Sequence, residues 1–220
     1  MAYADISTAE ENPSGRFAIT YPHAIESIVV MPAIEQLCCE FPGLEPDLVV
    51  SDGSLDLVEN SLDVSTHAGD LTDSSYRALP VGTIKEIFCA TPLFLNRNGT
   101  PKTVADLMTL RWISTSWQQP KMSIFDVNSN KKTTIKLKQF SQANTLPSAL
   151  EMGLRHMGIM LMPDVTAKPL IKSGELIHLM HNITGPLWPI YMVHAYQADK
   201  PILLTRFHQL ICRYLNNALS

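Results

Sequence analysis

The sequence predicts an α/β protein with a largely parallel sheet. Strand-like and helix-like patterns alternate along the first part of the chain, which is the order that builds parallel sheets. Apolar residues make up 45% of the 220 residues and charged residues 17%, so the chain can bury a proper core. The pattern starts again near Thr91-Pro92. This length and restart are compatible with one large domain or two small lobes.

The elements of the first part follow from apolar spacing. Apolar side chains alternate in Arg16–Tyr21 and predict a short strand, whereas Ala24–Phe41 has helical spacing. Pro32 predicts a kink or a late start in that helix. The remaining predictions are a buried strand, a short helix and two strands, at Leu48–Val50, Leu55–Asn60, Asp63–Ala68 and Ile84–Ala90.

The second part contains a clearly patterned internal helix. Leu146 to Met157 forms an apolar stripe, Asn144 is the expected N-cap, and Gly158 is expected to end the helix with positive φ. Lysines between Lys132 and Lys138 indicate an edge strand, with DNA contact left as the other interpretation. The other predicted elements are a helix, three strands and a final amphipathic helix, at Val104–Thr109, Trp112–Thr115, Ile159–Met162, Ile190–Val193 and Leu203–Ala218.

Charge and cysteine content favour a reduced intracellular protein that does not itself bind DNA. The net charge is −4, whereas chains that bind nucleic acid alone usually carry a clustered basic surface. No apolar run approaches the roughly 18 residues that span a bilayer, and the first residues lack the regions of a secretory signal. The four cysteines show neither metal nor disulfide spacing. A redox-sensing role for the adjacent Cys38 and Cys39 remains open.

Catalytic and metal-binding signatures are missing from the sequence. It contains no nucleophile elbow, no Walker loop and no dinucleotide-binding glycine motif. His178 and His181 are three residues apart, but no further ligand completes a metal site, and surface histidines are the better interpretation. We therefore expect no enzyme activity, no cofactor and no metal.

A series of short motifs resembles the effector-binding domain of LysR-type transcriptional regulators. Gly15 to Pro22 is similar to the family's first strand, and Asp63 to Gly69 is similar to a later strand and turn. The resemblance keeps its register over more than nine-tenths of the chain. Further matches lie at Pro32, Phe41-Pro42, Ser51-Asp52, Ala90-Thr91-Pro92, Gly99-Thr100-Pro101, Asn144, Gly158-Ile159 and Met162-Pro163.

This resemblance implies two Rossmann-like lobes joined by two crossover strands, as in type 2 periplasmic binding proteins. Lobe I is expected at residues 15–91 and 194–220, lobe II at 92–193, and residues 1–14 as the end of a linker. The family's winged helix-turn-helix precedes this domain, so DNA contact is expected outside these residues. The resemblance further implies a cytoplasmic homodimer or tetramer that binds a small-molecule effector and does not contact membranes.

The effector is expected in a cleft between the lobes, beyond the carboxyl ends of the strands. Helix N-termini gather at such ends and offer free amides and partial positive charge, which favours a small polar or anionic metabolite. The residues expected to contact it are His23, Ala24, Ser54, His67, Gly69, Ser114, Thr115, Asn144 and Thr145.

Some of these positions have simpler interpretations. Asn144 is equally explained as a helix cap, and His67 as an ordinary strand residue. The family commonly has arginine at the position of His67 and serine at that of Ala24. Without the arginine, the domain either lacks a fixed side chain that binds a carboxylate, or binds it only when the histidine is protonated, which depends on pH. A solute-binding protein of a transporter and an enzyme of the same fold are the competing function classes.

Overall fold

The chain folds into two compact units. The computed structural model describes residues 13–53, 56–71, 76–196 and 201–220. One unit comprises Met1–Thr83 and Trp188–Ser220, and the other comprises Ile84–Leu187. Residues 1–12, predicted as linker, and Ser54, predicted to contact the effector, lie outside the described residues.

The first unit is built on a sheet with strand order β2-β1-β3-β12. Strand β1 pairs in parallel with both β2 and β3, and β12 runs antiparallel to β3. The three parallel strands therefore end at the same edge of the sheet. These strands are β1 (Gly15–Tyr21), β2 (Leu44–Val50), β3 (Val64–Ala68) and β12 (Leu187–His194).

The described residues of this first unit also form two α-helices. A 3-10 turn (His23–Ile25) and a π-helical turn (Glu26–Val30) precede α1 (Met31–Glu40). The α-helix therefore starts late, as Pro32 predicts, because proline is tolerated only in a first turn. The final helix α6 (Ile202–Leu219) buries the apolar face predicted from its spacing, and its Phe207 meets Phe17 of β1 edge to face at 5.5 Å.

The second unit has its own sheet, in the order β4-β9-β5-β8. Strand β5 is parallel to β8 and β9, whereas β4 is antiparallel to β9. Three carboxyl ends thus share one edge here as well. The strands are β4 (Arg77–Ala90), β5 (Arg111–Thr115), β8 (Lys138–Ala143) and β9 (Ile159–Pro163), and β10 (Ile177–His178) pairs with β4.

Helices and a small antiparallel sheet complete the second unit. The sheet has the order β11-β6-β7, with the lysine-bearing β7 at an edge as predicted. Trp112 is fully buried in the core, among Phe88, Phe94 and Leu161. The elements are α2 (Pro92–Asn98), α3 (Val104–Thr109), β6 (Lys121–Asp126), β7 (Lys131–Lys136), α4 (Leu146–Leu154), α5 (Asp164–Lys172) and β11 (Ile183–Thr184).

The chain passes between the units twice. It leaves the first unit within β4, between Thr83 and Ile84, and returns at the start of β12, between Leu187 and Trp188. The lobe ranges expected from the sequence, 15–91 with 194–220 and 92–193, stay a prediction.

Two predictions for the first unit are wrong. Leu48–Val50 is not a buried strand: it ends the longer β2 at the edge of its sheet, and Val49 is 37% exposed. The described part of Leu55–Asn60 is a turn rather than a helix. The Asp56 carboxylate accepts bonds from the backbone amides of Val58 and Glu59, and such local bonds compete with helix formation.

Both ends of α4 differ from prediction. The N-cap is Thr145 rather than Asn144, because the Thr145 hydroxyl accepts the Ser148 amide. After the helix, the residue with positive φ is His156 (φ 63°), not Gly158. Position 158 instead requires glycine because the Arg111 backbone lies close to it: a Cβ there would lie 2.6 Å from the carbonyl oxygen of Arg111.

Candidate functional site

In the first unit, the loops that follow the three parallel strands lie side by side. Because β1 is the middle strand, its following residues His23 and Ala24 are flanked by the loop after β2 and by the loop after β3. The sheet therefore brings His23 and Ala24 to the same edge as Gly69, as the strand-end argument predicts.

His23 is held in place by the loop after β2. The Asp52 carboxylate accepts the His23 backbone amide at 3.1 Å through one oxygen and contacts ring Nδ1 at 2.8 Å through the other. Both side chains are less than one-fifth exposed. Asp52 therefore fixes the Nδ1 side of the His23 ring, and Nε2 makes no hydrogen bond to a described residue.

His67 and Gly69 have defined structural roles at the end of β3. Ring Nε2 of His67 lies 3.1 Å from the carbonyl oxygen of Asp70, which fixes the ring within its own loop. Gly69 has φ +109°, and a Cβ there would press on the Trp188 ring at 3.3 Å. Only glycine adopts this backbone without strain, so the loop can turn closely over the aromatic ring.

A hydroxyl that the sequence reasoning missed lies at the same end of β1. Thr20 is 2% exposed, and its Oγ1 has no hydrogen-bond partner among the described residues. Buried polar atoms are almost always paired, so an unpaired one requires an explanation. The available sequence signal was its position one residue before the end of the first strand.

In the second unit, Thr115 ends one parallel strand and Asn144 directly follows the neighbouring one. Thr115 ends β5 and lies opposite Ala143, the last residue of β8. Asn144 and Thr145 come next and lead into α4, with Asn144 exposed and Thr145 half-buried. The second unit therefore also brings its predicted residues to one edge.

Ser114 and Thr115 are adjacent but differ in hydrogen bonding. Ser114 Oγ donates to the carbonyl oxygen of Ser141 at 3.2 Å and accepts from the Gln139 amide at 3.1 Å. Thr115 is 1% exposed, and its Oγ1 has no partner among the described residues. Ser114 thus holds β5 against β8, whereas the Thr115 hydroxyl makes no such bond to a described residue.

Buried polar groups fix the end of β5 beneath Thr115. The Thr115 backbone amide donates to Gln118 Oε1 at 3.0 Å, and Gln118 Nε2 donates to Glu86 at 2.5 Å and to the Leu161 carbonyl at 2.8 Å. Glu86 is 1% exposed. This network ties the strand end to β4. No sequence pattern indicated it, because the three segments are far apart in the chain.

Thr145 uses its side chain as the cap of the first turn of α4. Its Oγ1 donates to Ser148 Oγ at 2.9 Å and accepts the Ser148 amide at 3.4 Å. Pro147, in the same turn, has no N–H to satisfy. The helix start therefore retains the partial positive charge expected to attract an anion.

The described residues contain neither a group of side chains suited to bind a metal ion nor a helix suited to cross a membrane. Across residues 13–53, 56–71, 76–196 and 201–220, no three His, Cys, Asp or Glu side chains are grouped as metal ligands. Within those same ranges, no helix combines the length and apolar character needed to cross a membrane.

Comparison with known proteins identifies the class of domain. Residues 10–215 match a family model described as the LysR substrate binding domain. An HTH-type transcriptional activator TtdR of Escherichia coli is 23% identical over 212 residues, which cover 95% of this chain and 68% of the relative. A putative transcriptional regulator of Pseudomonas aeruginosa is 23% identical over 200 residues, covering 90% of this chain and 65% of the relative.

Solved structures share the fold. The regulatory domain of CrgA, a LysR-type transcriptional regulator from Neisseria meningitidis, matches with a TM-score of 0.80 at 21% identity, covering 92% of this chain and all of that domain. Full-length AphB from Vibrio cholerae matches at 0.79 and 23% identity, covering 94% of this chain and 71% of AphB. The predicted fold class, two α/β lobes joined by two crossover strands, is confirmed.

Proposed function

The chain belongs to the family of LysR substrate-binding domains, and from this membership we propose which of its residues receive the effector. As a member, it is the effector-binding domain of a LysR-type transcriptional regulator. Its curated relatives are regulators, which favours this function over transport or catalysis.

We propose that a small polar or anionic metabolite binds at the carboxyl ends of the parallel strands. The observation that carries this proposal is the pair of buried, unpartnered threonine hydroxyls, Thr20 in the first unit and Thr115 in the second. Each hydroxyl can both donate and accept, and each lies in one of the last two residues of a parallel strand, Thr20 in β1 and Thr115 in β5.

The other groups of the proposed site supply orientation and charge. His23 presents Nε2 while Asp52 holds its Nδ1 side, so the ring is preorganised. The start of α4, with Asn144 and Thr145, provides the partial positive charge of a helix N-terminus for an anionic group. His67, Gly69 and Ala24 shape the first unit's contribution, Ser114 positions β5, and Ser54 stays a prediction.

A ligand screen with two variants tests the proposal. Thermal-shift measurements against a panel of organic acids find the ligand, and calorimetry then measures its affinity for wild-type protein, Thr115→Val and His23→Ala. Loss of one hydrogen bond to a charged ligand should weaken binding about tenfold, and Thr133→Val, an exposed hydroxyl on β7, should change nothing. Equal affinity for all four proteins would remove the proposed site.

A double-variant cycle tests whether one ligand contacts both units. If it does, Thr115→Val and His23→Ala should each weaken binding of that ligand, and the double variant should lose about the product of the two single effects, because contacts without shared partners are close to additive in free energy. A ligand that is sensitive to only one of the two variants would argue against the interlobe position predicted from the resemblance.

The proposed output is a shift between conformations of the regulator. The effector can move the equilibrium only through different affinities for the two states. We further propose a cytoplasmic location, association into a homodimer or tetramer through this domain, and DNA contact by a helix-turn-helix elsewhere in the regulator. Sedimentation showing a monomer at micromolar concentration would count against the association.

A further inference from the structure

The second unit contains a cavity away from the strand ends assigned to the effector. It has a volume of about 470 Å³ and is lined by Phe94, Arg97, Arg111, Phe140, His156 and Met157, among others. Arg111 starts β5, whereas Thr115 ends it, and a strand of this length separates its ends by about 13 Å. The cavity therefore belongs to the amino end of the parallel strands, opposite the proposed effector groups.

Two arginines give this cavity an uncompensated positive charge. Neither Arg97 nor Arg111 forms an ion pair with a carboxylate in the part of the chain that the structure describes. Arg111 instead lies over the Phe140 ring, 4.8 Å from its centre, and Arg97 lies in the last turn of α2. No acidic side chain lines the cavity.

Two backbone irregularities shape the cavity wall. Phe140 is the extra residue of a bulge in β8, since Trp112 pairs with Gln139 and Ile113 with Ser141, and its ring is 45% exposed. Bulges redirect side chains and are frequent beside binding sites.

His156 provides the second irregularity. It has φ 63°, and its Nδ1 lies 2.8 Å from Thr91 Oγ1, which also accepts the Phe94 amide. When the Thr91 hydroxyl donates to Nδ1, a neutral His156 carries its proton on Nε2, where it is free to donate. Holding a residue other than glycine in the left-handed region costs free energy, and residues in this conformation are concentrated at functional sites.

We propose that this cavity binds a small aromatic carboxylate. Arginine side chains match the geometry of a carboxylate, and Arg97 and Arg111 supply two such groups without competing acids. The rings of Phe94 and Phe140 and the Met157 thioether provide flat apolar contact for an aromatic body. The volume lies within the range of small-molecule pockets.

Calorimetric titration of the 220-residue chain with benzoate, and with acetate for comparison, tests the proposal. Benzoate should bind saturably and more tightly than acetate. Arg97→Gln and Arg111→Gln should each weaken benzoate binding about tenfold, because each removes a charge-assisted contact. Lys172→Gln removes a positive charge on α5 outside the cavity and should leave the affinity unchanged. Benzoate should also shift the Phe140 ring resonances.

Three outcomes would overturn the proposal. They are the absence of saturable benzoate binding, equal affinity for benzoate and acetate, and benzoate binding that is lost in Thr115→Val but kept in both arginine variants. The last outcome would assign benzoate to the strand-end groups instead. Unchanged melting temperatures of the arginine variants would exclude unfolding as the cause of weaker binding.

Discussion

Replacing Thr115 by valine should stabilise the ligand-free protein while weakening effector binding. The side chain is 1% exposed, and its hydroxyl has no partner among the described residues. Burying an unpaired hydroxyl costs about 1–3 kcal/mol, and valine keeps the branched shape without the polar atom. The free energy of unfolding should therefore rise by about 1 kcal/mol, which corresponds to about 2–4 °C in melting temperature for a chain of this size.

The neighbouring residue provides a matched control of opposite sign. Ser114 Oγ is bonded on both sides, to the Ser141 carbonyl and the Gln139 amide. Ser114→Ala removes both bonds, although Gln139 is exposed and Ser141 half-buried, and should lower the free energy of unfolding by about 0.5–1.5 kcal/mol.

Urea unfolding of both variants, without ligand, measures the two effects. An equal loss of stability in Thr115→Val and Ser114→Ala would refute the reasoning, because it would mean that the Thr115 hydroxyl already has a partner in the folded protein. If Thr115→Val gains stability but binds the effector with unchanged affinity, the Thr115 hydroxyl is unpaired in the free protein but does not contact the effector.

Three further predictions concern stability. Gly158→Ala should destabilise by about 1–3 kcal/mol, because the new Cβ meets a backbone carbonyl at 2.6 Å, whereas Gly53→Ala meets nothing closer than 3.7 Å and should be nearly neutral in denaturant unfolding. The Arg206 guanidinium holds the pKa of Glu40 at about 2 against a usual 4.5, so the stability from this pair should be lost as pH falls from 4.5 to 2, and Arg206→Gln should flatten that part of the stability–pH curve. Burial lowers the pKa of His178 from 6.5 to about 4, so between these pH values only the unfolded chain binds this proton. The free energy of unfolding should therefore fall as the pH drops from 6.5 to 4, and His178→Gln should make this fall smaller.

Periodicity predicted the elements whose two faces differ most. The apolar stripe of α6 and the alternation in β1 were both found in the structure within a residue or two. The strand-end argument also placed His23 and Gly69 at one edge of the first sheet, because parallel strands share their direction. Some wrong predictions depended on local competition: Thr145 displaced Asn144 as cap through a bond that spacing does not reveal.

The sequence by itself determined the fold class, the family resemblance and the loops in which ligand groups are expected, because these depend on the order of apolar and turn-forming residues along the chain. Only the tertiary structure decided which side chains in those loops are free. Ser114 and Thr115 are adjacent hydroxyl residues on one strand, yet one is fully bonded and the other is not. The cavity between Arg97 and Arg111 likewise depends on a bulge and a left-handed histidine. Hydrogen bonds and cavities are made by segments distant in sequence, so their presence is decided only when the chain packs.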